Sequence, residues 1–389
     1  MIKLPDIQEP RRVFFGDEEQ DFINNCIQEL KIGQLNDIQL VSDFESQFAE
    51  FIKVKHVVAT NSATSGLQIA LQASGLKRGQ EVIVTPYTFS ATAHAIINAG
   101  GVPVFADIRE DSLCLDFDDV ESKITDKTFA IMAVHIGGKS ENIYDLCVLA
   151  KQKNVLVFED AAQAHGSTYR NQYVGTFGQA GVFSFGTKLM TSFKGGAIVT
   201  NNDEIAKICR SYIYHGISSN GQSPYTHEYP GYNFQMTGLQ AALLIPQIKK
   251  LPERFEKRYQ NGMYLKDKIE QILGLKVAMP TNGGTSNFYM FEMLYDKLYF
   301  SGKSRENLIK LLQKEGLPVL QANIIDRPIY ENHSLRSYIT KPCFVAESVY
   351  NRLIILGHYM HSTLMDADQE TLDLTAKKLK RAQDLIKTA

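Results

Sequence analysis

The sequence lacks the features that would point to nucleic acid or a membrane as the main partner. It has no run of like charges, and its 41 Lys and Arg residues nearly balance its 43 Asp and Glu residues, which argues against both partners. No apolar stretch is long enough to span a bilayer, and the first residues contain no apolar segment of a secretory signal. The expected location is therefore the cytoplasm.

Cysteine is scarce and scattered. The chain of 389 residues has five cysteines, an odd number, and no two of them form a Cys-x-x-Cys pair. This pattern indicates neither a disulfide framework nor a zinc site, and it fits a reducing compartment. We therefore expect no metal in the functional site.

The first half of the chain alternates between short apolar runs and amphipathic stretches. Five strand-like runs lie between residues 57 and 158, separated by helix-like segments with short connections. This alternation is typical of a doubly wound α/β domain with a largely parallel sheet. Such sheets bind ligands outside the carboxyl ends of their strands.

The alternation stops after Thr200. Residues 236–272 have a helical pattern that we expect Pro246 and Pro252 to interrupt. The chain beyond about Asn287 has an α+β pattern. We therefore predict a large domain with an N-terminal arm over residues 1–250 and a smaller α+β domain over residues 251–389.

Lys188 follows a short apolar run, residues 180–185, that predicts a buried strand. The chain breaks at Gly186 and presents the lysine from a loop. A lysine at the exit of a buried strand is poorly solvated, which favours the free amine that condenses with an aldehyde. An ordinary solvated lysine is the alternative, and for this residue taken alone it is the better one.

An acidic residue earlier in the chain favours the chemical interpretation. Asp160 follows the strand-like run at residues 155–158. Pyridoxal 5′-phosphate (PLP) needs a lysine to hold its aldehyde and an acid to keep its ring nitrogen protonated. Glu159 is a rival, but neighbouring strand residues point to opposite faces, so only one of the two can face the site. An acid that caps the next turn is the structural alternative.

Further stretches could hold the phosphate and the ring of this cofactor. Residues 61–65 lie between a strand and an amphipathic helix, where backbone N–H groups bind phosphate. An ordinary Ser/Thr helix cap is equally consistent with them. Ser184 adds a hydroxyl before the lysine. Phe89 offers a face on which a pyridine ring can stack, although a phenylalanine without that context is more often part of the core.

Five motifs in this order make the sequence similar to a known family. They occupy residues 60–67, 85–92, 159–166, 183–196 and 231–237. Together they resemble the DegT/DnrJ/EryC1/StrS family of PLP-dependent sugar aminotransferases over about residues 44–251, with a weaker match near residues 342–356. The resemblance implies fold type I, the aspartate-aminotransferase-like architecture of a large domain with a mostly parallel central sheet and a smaller α+β C-terminal domain.

The resemblance also implies a role for each residue at a matching position. Lys188 would hold the cofactor aldehyde and Asp160 would keep the ring nitrogen protonated, and these two are the expected catalytic residues. Phe89 would stack on the cofactor ring, and the amide of Gln163 would lie beside the ring hydroxyl. The expected phosphate contacts are Ala63, Thr64 and Ser184. Asn233 matches a residue that reaches the phosphate in the neighbouring subunit. This match implies a homodimer with shared active sites, and a simple turn residue is the alternative.

The sequence departs from the family pattern in several places. Three residues separate Ser184 from Lys188, one fewer than is usual. Lys194 stands where the family usually has glutamate, but Lys188 is the better match because it follows the strand. Residues 35–37 replace a Thr-x-Gly turn, and residues 321–330 lack a histidine, both where an acceptor would bind. Structural rather than catalytic roles are expected of His135, His165, His215 and His358.

The predicted reaction moves an amino group from glutamate or glutamine to a keto-sugar, with a nucleotide-linked sugar of amino sugar biosynthesis as the first expectation. A keto-cyclitol is the alternative acceptor, because residues 188–191 resemble members that act on ring compounds. A PLP-dependent lyase or dehydratase is a second class, but such members replace the lysine with histidine. A non-catalytic PLP-binding regulator is a third, and the absence of a basic patch and the complete lysine–aspartate pair argue against it.

Overall fold

The computed structural model describes residues 7, 15–31, 33, 35–140, 142–217, 226–280, 283–320, 327–339, 341–357 and 363–388. His358 and most of the segment that lacks a histidine, residues 321–326, lie outside the described residues. None of the helices in these ranges combines the length and the apolar composition needed to cross a membrane.

Helices and strands alternate along the first half of the chain, as the sequence predicts. Helices α1 to α11 cover Asp17–Lys31, Asp37–Ile52, Ala63–Ala73, Ser90–Asn98, Phe117–Ser122, Ile143–Lys153, Asp203–Ile213, Gly238–Ile269, Arg305–Lys314, Phe344–Tyr350 and Gln369–Thr388. Strands β1 to β13 cover His56–Thr60, Glu81–Val84, Val102–Phe105, Thr128–Val134, Leu156–Asp160, Thr168–Tyr169, Gln172–Tyr173, Ala180–Ser184, Gly196–Thr200, Leu275–Val277, Phe291–Tyr295, Val319–Leu320 and Leu353–Leu356.

The larger sheet has seven strands in the order β1-β9-β8-β5-β4-β2-β3. Neighbouring strands from β8 to β3 pair in parallel. Strand β9 is antiparallel to both of its neighbours, β1 and β8. The other six strands therefore end at the same edge of the sheet, which confirms the predicted α/β class with a mostly parallel central sheet.

Helices cover both faces of this sheet, because its strands are apolar on both sides. On β4, Ala130 and Met132 are buried in one core with α3, α4 and α7. Ile131 and Ala133, between and after them, are buried in a second core with α2, α6 and α8. A continuous apolar strand of this kind is expected wherever a parallel sheet is covered on both faces. The polar ends of the strands are thus the places where a site can form.

A smaller sheet forms in the C-terminal part of the chain. Its four strands have the order β10-β11-β13-β12, and all neighbours are antiparallel. Leu265 and Ile269 near the end of α8 share a core with this sheet and with α9 and α11. The α+β character of this part agrees with the sequence. The domain division at residue 250 stays a prediction, since residue 250 lies inside α8.

The expected interruption of the helix after residue 236 is wrong. Helix α8 is continuous over Gly238–Ile269, with Pro246 and Pro252 inside it. A proline removes one N–H donor from the hydrogen bonds of the helix. The side chain of Gln247, next to Pro246, makes hydrogen bonds of its own at this turn. The amide of Gln247 donates to the carbonyl of Leu243 in the helix and bonds both the N–H and the C=O of Thr191. The helix therefore holds the loop that follows Lys188.

Replacing Gln247 by leucine is expected to lower the free energy of unfolding by about 2–6 kcal/mol. The side chain is fully buried, and its loss leaves the peptide groups of Thr191 without partners, at about 1–3 kcal/mol for each buried group. Urea unfolding of the purified protein measures the effect. Gln260→Leu on the same helix is the matched control, because Gln260 is exposed and its amide donates to the exposed Glu256 one turn away. Equal stability of the two variants would contradict the role given to Gln247.

Candidate active site

A cavity of about 310 Å³ opens where the parallel strands of the larger sheet end. Its walls come from the residues at or after the carboxyl ends of β1, β2, β4, β5 and β8. Seven of the eight predicted site residues line it, namely Ala63, Thr64, Phe89, Asp160, Gln163, Ser184 and Lys188. The structure therefore brings together residues that are up to 125 positions apart in the sequence. Among the described residues no cluster of His, Cys, Asp or Glu has the composition of a metal site.

The N-terminus of α3 forms one end of the cavity. Ser62 caps the helix, since its Oγ accepts the N–H of Ser65 at 3.2 Å. The first N–H groups of a helix have no partner within the helix, and Ala63 and Thr64, the first two residues of α3, line the cavity. Such groups, at the positive end of the helix dipole, suit a phosphate. The same helix end has its cap and also lines the cavity, so the two interpretations do not compete.

Two glycines allow the reversed strand β9 to approach this helix end. Gly195 forms a bridge with Ser62, and its φ of +121° belongs to the region that favours glycine. A Cβ atom on Gly196 would lie 2.5 Å from the backbone nitrogen of Ala63. Any other residue at position 196 would therefore push the strand away from the helix N-terminus. The close approach of β9 to the start of α3 depends on these two glycines.

Asp160 is the acidic residue that faces the cavity. It is the last residue of β5 and is 7% exposed. Its Oδ2 accepts a hydrogen bond from Oγ1 of Thr92 at 2.8 Å, and its Oδ1 accepts the N–H of Ala162 at 3.1 Å. Burial raises the pKa of Asp160, while these hydrogen bonds and the nearby Lys188 and His135 lower it in part. A cationic ring nitrogen would suit this carboxylate.

Glu159 points to the opposite side of β5 and has a structural role. It is fully buried, and its carboxylate accepts the N–H groups of Gly175, Phe177 and Gly178 at 2.6 to 2.8 Å. Its Oε2 also accepts a hydrogen bond from Nε2 of His135 at 2.9 Å. The strand alternation thus separates the two acids, as the sequence predicts.

Gln163 and Phe89 occupy different walls of the cavity. The Oε1 atom of Gln163 accepts the N–H of Gly137 at 2.8 Å. With the oxygen held in this way, the NH₂ group of the amide is the part that a ring hydroxyl can meet. Phe89 precedes α4 and is 47% exposed. Its ring is therefore not part of the core and is open to a bound ring.

Lys188 lies in the loop after β8, in contact with a residue that the sequence patterns do not indicate. Its Nζ donates a hydrogen bond to the hydroxyl of Tyr289 at 2.8 Å, and it lies 4.3 Å from the centre of the tyrosine ring. Ser184, the last residue of β8, lines the cavity and accepts the N–H of Gly186 at 3.4 Å. The sequence around Tyr289 contains no recognisable motif. The one signal for this residue is a polar aromatic side chain just before an apolar, strand-like run.

Lys194 also lines the cavity, but on its exposed side. Its neighbour Phe193 has a φ of +65°, is 61% exposed and lies edge-to-face with Phe15, with ring centres 5.2 Å apart. Both side chains belong to the mouth of the cavity, whereas Lys188 contacts a buried side chain. This difference in position supports Lys188 as the lysine that reacts.

Asn233 is not brought into the cavity of its own chain. Its side chain is exposed, and its backbone forms a bridge with Tyr214. The histidines differ in position. His135 lines the cavity and is held by Glu159, whereas His165 packs against the rings of Phe183 and Phe185. His215 lies outside the cavity wall.

Comparisons with known proteins show which family this chain belongs to. A model of the DegT/DnrJ/EryC1/StrS aminotransferase family matches residues 16–372. The spore coat polysaccharide biosynthesis protein SpsC of Bacillus subtilis (strain 168) is 36% identical over 309 residues, which are 77% of this chain and 78% of that protein. GDP-perosamine synthase of Vibrio cholerae is 31% identical over 322 residues, which are 82% and 84% of the two chains.

Solved structures show the same fold along nearly the whole chain. The Helicobacter pylori aminotransferase PseC, which is involved in pseudaminic acid biosynthesis, superposes with a TM-score of 0.85 at 26% identity, covering 98% of this chain and 100% of that one. The fold and the cavity define a fold type I PLP-dependent transferase. The chain belongs to the DegT/DnrJ/EryC1/StrS aminotransferase family, and it is an aminotransferase.

Replacing Asp160 by asparagine is expected to stabilise the cofactor-free protein while it lowers turnover on the order of 10²–10³-fold. The raised pKa means that the ionised carboxylate is less favourable in the folded than in the unfolded chain. The gain in stability should therefore be present at pH 7 and should vanish below about pH 4, where an unfolded aspartate takes up its proton. Urea unfolding at both pH values measures it.

Glu159→Gln is the matched control for Asp160→Asn. This variant should lose at least about 2 kcal/mol of stability, because an amide NH₂ group cannot accept the backbone N–H groups that the carboxylate holds. The two substitutions are thus expected to change the free energy of unfolding in opposite directions. A loss of stability in both would contradict the assignment of Asp160 to the site and Glu159 to the structure.

Proposed function

We propose that this chain uses PLP to transfer an amino group from glutamate or glutamine to a nucleotide-linked keto-sugar. The observation that carries the proposal is that one cavity combines a reactive lysine, a buried acid and a helix N-terminus. These are the groups that an aldehyde, a pyridinium nitrogen and a phosphate each require. A chance grouping would not match all three parts of one molecule.

The cofactor-binding roles follow from the position of each side chain. Lys188 holds the aldehyde, Asp160 faces the ring nitrogen, and Phe89 supplies a stacking face. Gln163 offers its NH₂ group to the ring hydroxyl. The phosphate is bound by the N–H groups at the start of α3 together with the hydroxyl of Ser184, so its contacts are Ala63, Thr64 and Ser184. When bound, PLP supplies a protonated ring that accepts electrons from the substrate carbon.

Lys188 has two tasks in this proposal. Its amine would hold the cofactor aldehyde until the amino donor takes its place. The freed amine would then remove the proton from the α-carbon of the donor, hold it at Nζ and later give it up again. Asp160 keeps its negative charge beside the ring nitrogen throughout. Transfer of the amino group to the acceptor reverses the same proton movements.

The acceptor is argued from the mouth of the cavity and from the relatives. GDP-perosamine synthase of Vibrio cholerae is named for a nucleotide-linked amino sugar, which supports an acceptor of this class. Lys194 adds a positive charge at the exposed side of the cavity, where the diphosphate of a nucleotide sugar would pass. A keto-cyclitol remains the alternative, favoured by the run at residues 188–191.

A homodimer is part of the proposal. Asn233 is exposed and lies outside the cavity of its own chain, so a role at the phosphate would need a second copy. We also propose a cytoplasmic location, which the free cysteines of the described residues support. The dehydratase alternative is disfavoured because Lys188 is present. A regulator without activity would not require the paired Lys188 and Asp160.

Absorbance spectra test the proposal directly. The purified protein, supplied with PLP, should show a visible band above roughly 400 nm that glutamate or glutamine shifts to the near ultraviolet. A nucleotide-linked keto-sugar should restore the band. If a keto-cyclitol restored the band and a nucleotide-linked keto-sugar did not, the acceptor would be a keto-cyclitol. A band that neither glutamate nor glutamine shifts would favour a non-catalytic PLP-binding regulator. The absence of any band would contradict the proposal that PLP is the cofactor.

Two lysine variants sharpen the spectral test. Lys188→Ala should lose the visible band and nearly all turnover, because no other amine holds the aldehyde. Lys194→Ala removes a second lysine of the same cavity and should keep the band. Full activity of the Lys188→Ala protein would refute the mechanism.

Mixed dimers test whether Asn233 acts across the subunit boundary. Lys188→Ala and Asn233→Ala chains are each expected to be weakly active alone. When they are coexpressed with different tags and mixed at random, roughly a quarter of the wild-type activity should return, because half of the dimers are mixed and each mixed dimer has one intact site. If Asn233 acted within its own chain, no activity would return.

A further inference from the structure

Tyr289 contacts the reacting atom of Lys188 in two ways. Its hydroxyl accepts a hydrogen bond from Nζ at 2.8 Å, and the face of its ring lies 4.3 Å from the same nitrogen. The hydroxyl also lies 3.5 Å from the carbonyl of Thr187, to which it donates. The tyrosine is 3% exposed. One phenol therefore fixes the lysine amine from the side of the smaller sheet.

The segment that carries Tyr289 is held by buried polar side chains. Asn287 is 1% exposed, and its amide oxygen accepts the N–H of Tyr289 at 2.8 Å. Its NH₂ group donates to the carbonyls of Gln163 and His165 at 2.8 and 3.0 Å. The position of Tyr289 is thus tied to the loop that also carries Gln163, a residue of the cavity wall.

Helix α8 supplies a second clamp. Arg258 is 2% exposed and donates to the carbonyls of Asn287 and Phe288 at 2.9 and 2.6 Å. Phe288, between the two polar residues, has a φ of +48°, a conformation that is costly for a phenylalanine. Strained backbone persists where the surrounding structure enforces it, and such residues cluster at functional sites. The clamp therefore holds Tyr289 in a place that the chain would not adopt by itself.

A tyrosine of the same sheet shows what a purely structural phenol looks like. Tyr295 on β11 is also 3% exposed, and its hydroxyl donates to the carbonyl of Lys303 at 2.7 Å. One backbone carbonyl satisfies this buried hydroxyl. Tyr289 differs because its hydroxyl and its ring both meet an amine that lines the cavity.

We propose that Tyr289 is a positioning residue that holds the amine of Lys188 whenever this amine is not bonded to the cofactor. The inference rests on the proposed role of Lys188. In the proton transfer, the Cα–H bond of the donor breaks, the proton bonds to Nζ, and the electron pair stays with the donor carbon. The ring face of Tyr289 stabilises the ammonium group that results, and its hydroxyl keeps Nζ within reach of the carbon.

The test compares Tyr289→Phe with Tyr295→Phe. Tyr289→Phe keeps the ring and removes the hydrogen bond, so the cofactor-free protein should form its visible band with added PLP about tenfold more slowly. Its affinity for pyridoxamine 5′-phosphate, which makes no bond to Lys188, should stay within about twofold of wild type. Glutamate deuterated at the α-carbon should slow the donor half-reaction more in this variant than in wild type, because proton transfer has become the slower step. Tyr295→Phe should change none of these quantities.

Each outcome separates the inference from the proposed function. If Tyr289→Phe behaves like Tyr295→Phe in band formation and in the isotope effect, the positioning role is overturned. An equal loss of affinity for pyridoxamine 5′-phosphate would also overturn it, because Tyr289 would then shape the cavity rather than the amine. A wild-type protein that forms no band would refute the proposed function itself, whereas a wild-type band with no effect of Tyr289→Phe would refute only this inference.

Discussion

The burial of one carboxylate, that of Asp160, is the constraint on which the site depends. A buried ionised group is costly unless hydrogen bonds and opposite charges compensate it. Here a hydroxyl and a backbone N–H provide part of the compensation, and the raised pKa shows that they do not provide all of it. The charge of Lys188 also lowers this pKa in part, and a further cation beside the carboxylate would add to the compensation. Because β8 pairs directly with β5, the lysine that follows β8 is brought to the same cavity as the acid, where a cationic cofactor ring would add to the compensation.

The reversed strand β9 connects this charge balance to the phosphate end. In a wholly parallel sheet the chain would leave β8 through a long crossover, and the loop after Lys188 would run away from the cavity. The antiparallel turn from β8 to β9 instead returns the chain to the sheet, through Gly195 and Gly196, directly against the start of α3. The antiparallel direction of β9 thus brings the loop that carries Lys188 and the N-terminus of α3 to the same cavity.

The sequence predicts those parts of the site that depend on local pattern. Asp160, Ser184 and Lys188 follow apolar runs, and parallel strands share one edge, so their meeting could be inferred without coordinates. Tyr289 could not, because its place depends on Asn287 and Arg258, which bond backbone groups up to 124 positions away. The continuity of α8 was missed for a similar reason, since its proline-containing turn is supported by a bond from Gln247 to Thr191. The role expected of Asn233 would need a second copy of the chain, and it therefore stays a prediction.

The smaller sheet matters to the site because it is fixed to the larger one by buried charge. Glu292 on β11 accepts hydrogen bonds from the hydroxyl of Tyr87 and from the amine of Lys139, and all three are about 1% exposed. Burial, together with the charge of Glu292, raises the pKa of Tyr87 well above its usual value, which keeps this phenol a donor. Removing either Glu292 or Lys139 would leave the other charge buried and unpaired, at about 3–5 kcal/mol. Tyr87 precedes the loop of Phe89, and Lys139 ends the turn that holds Gln163. The cavity walls and the β-strand that follows Tyr289 are therefore joined by buried hydrogen bonds and by one buried ion pair.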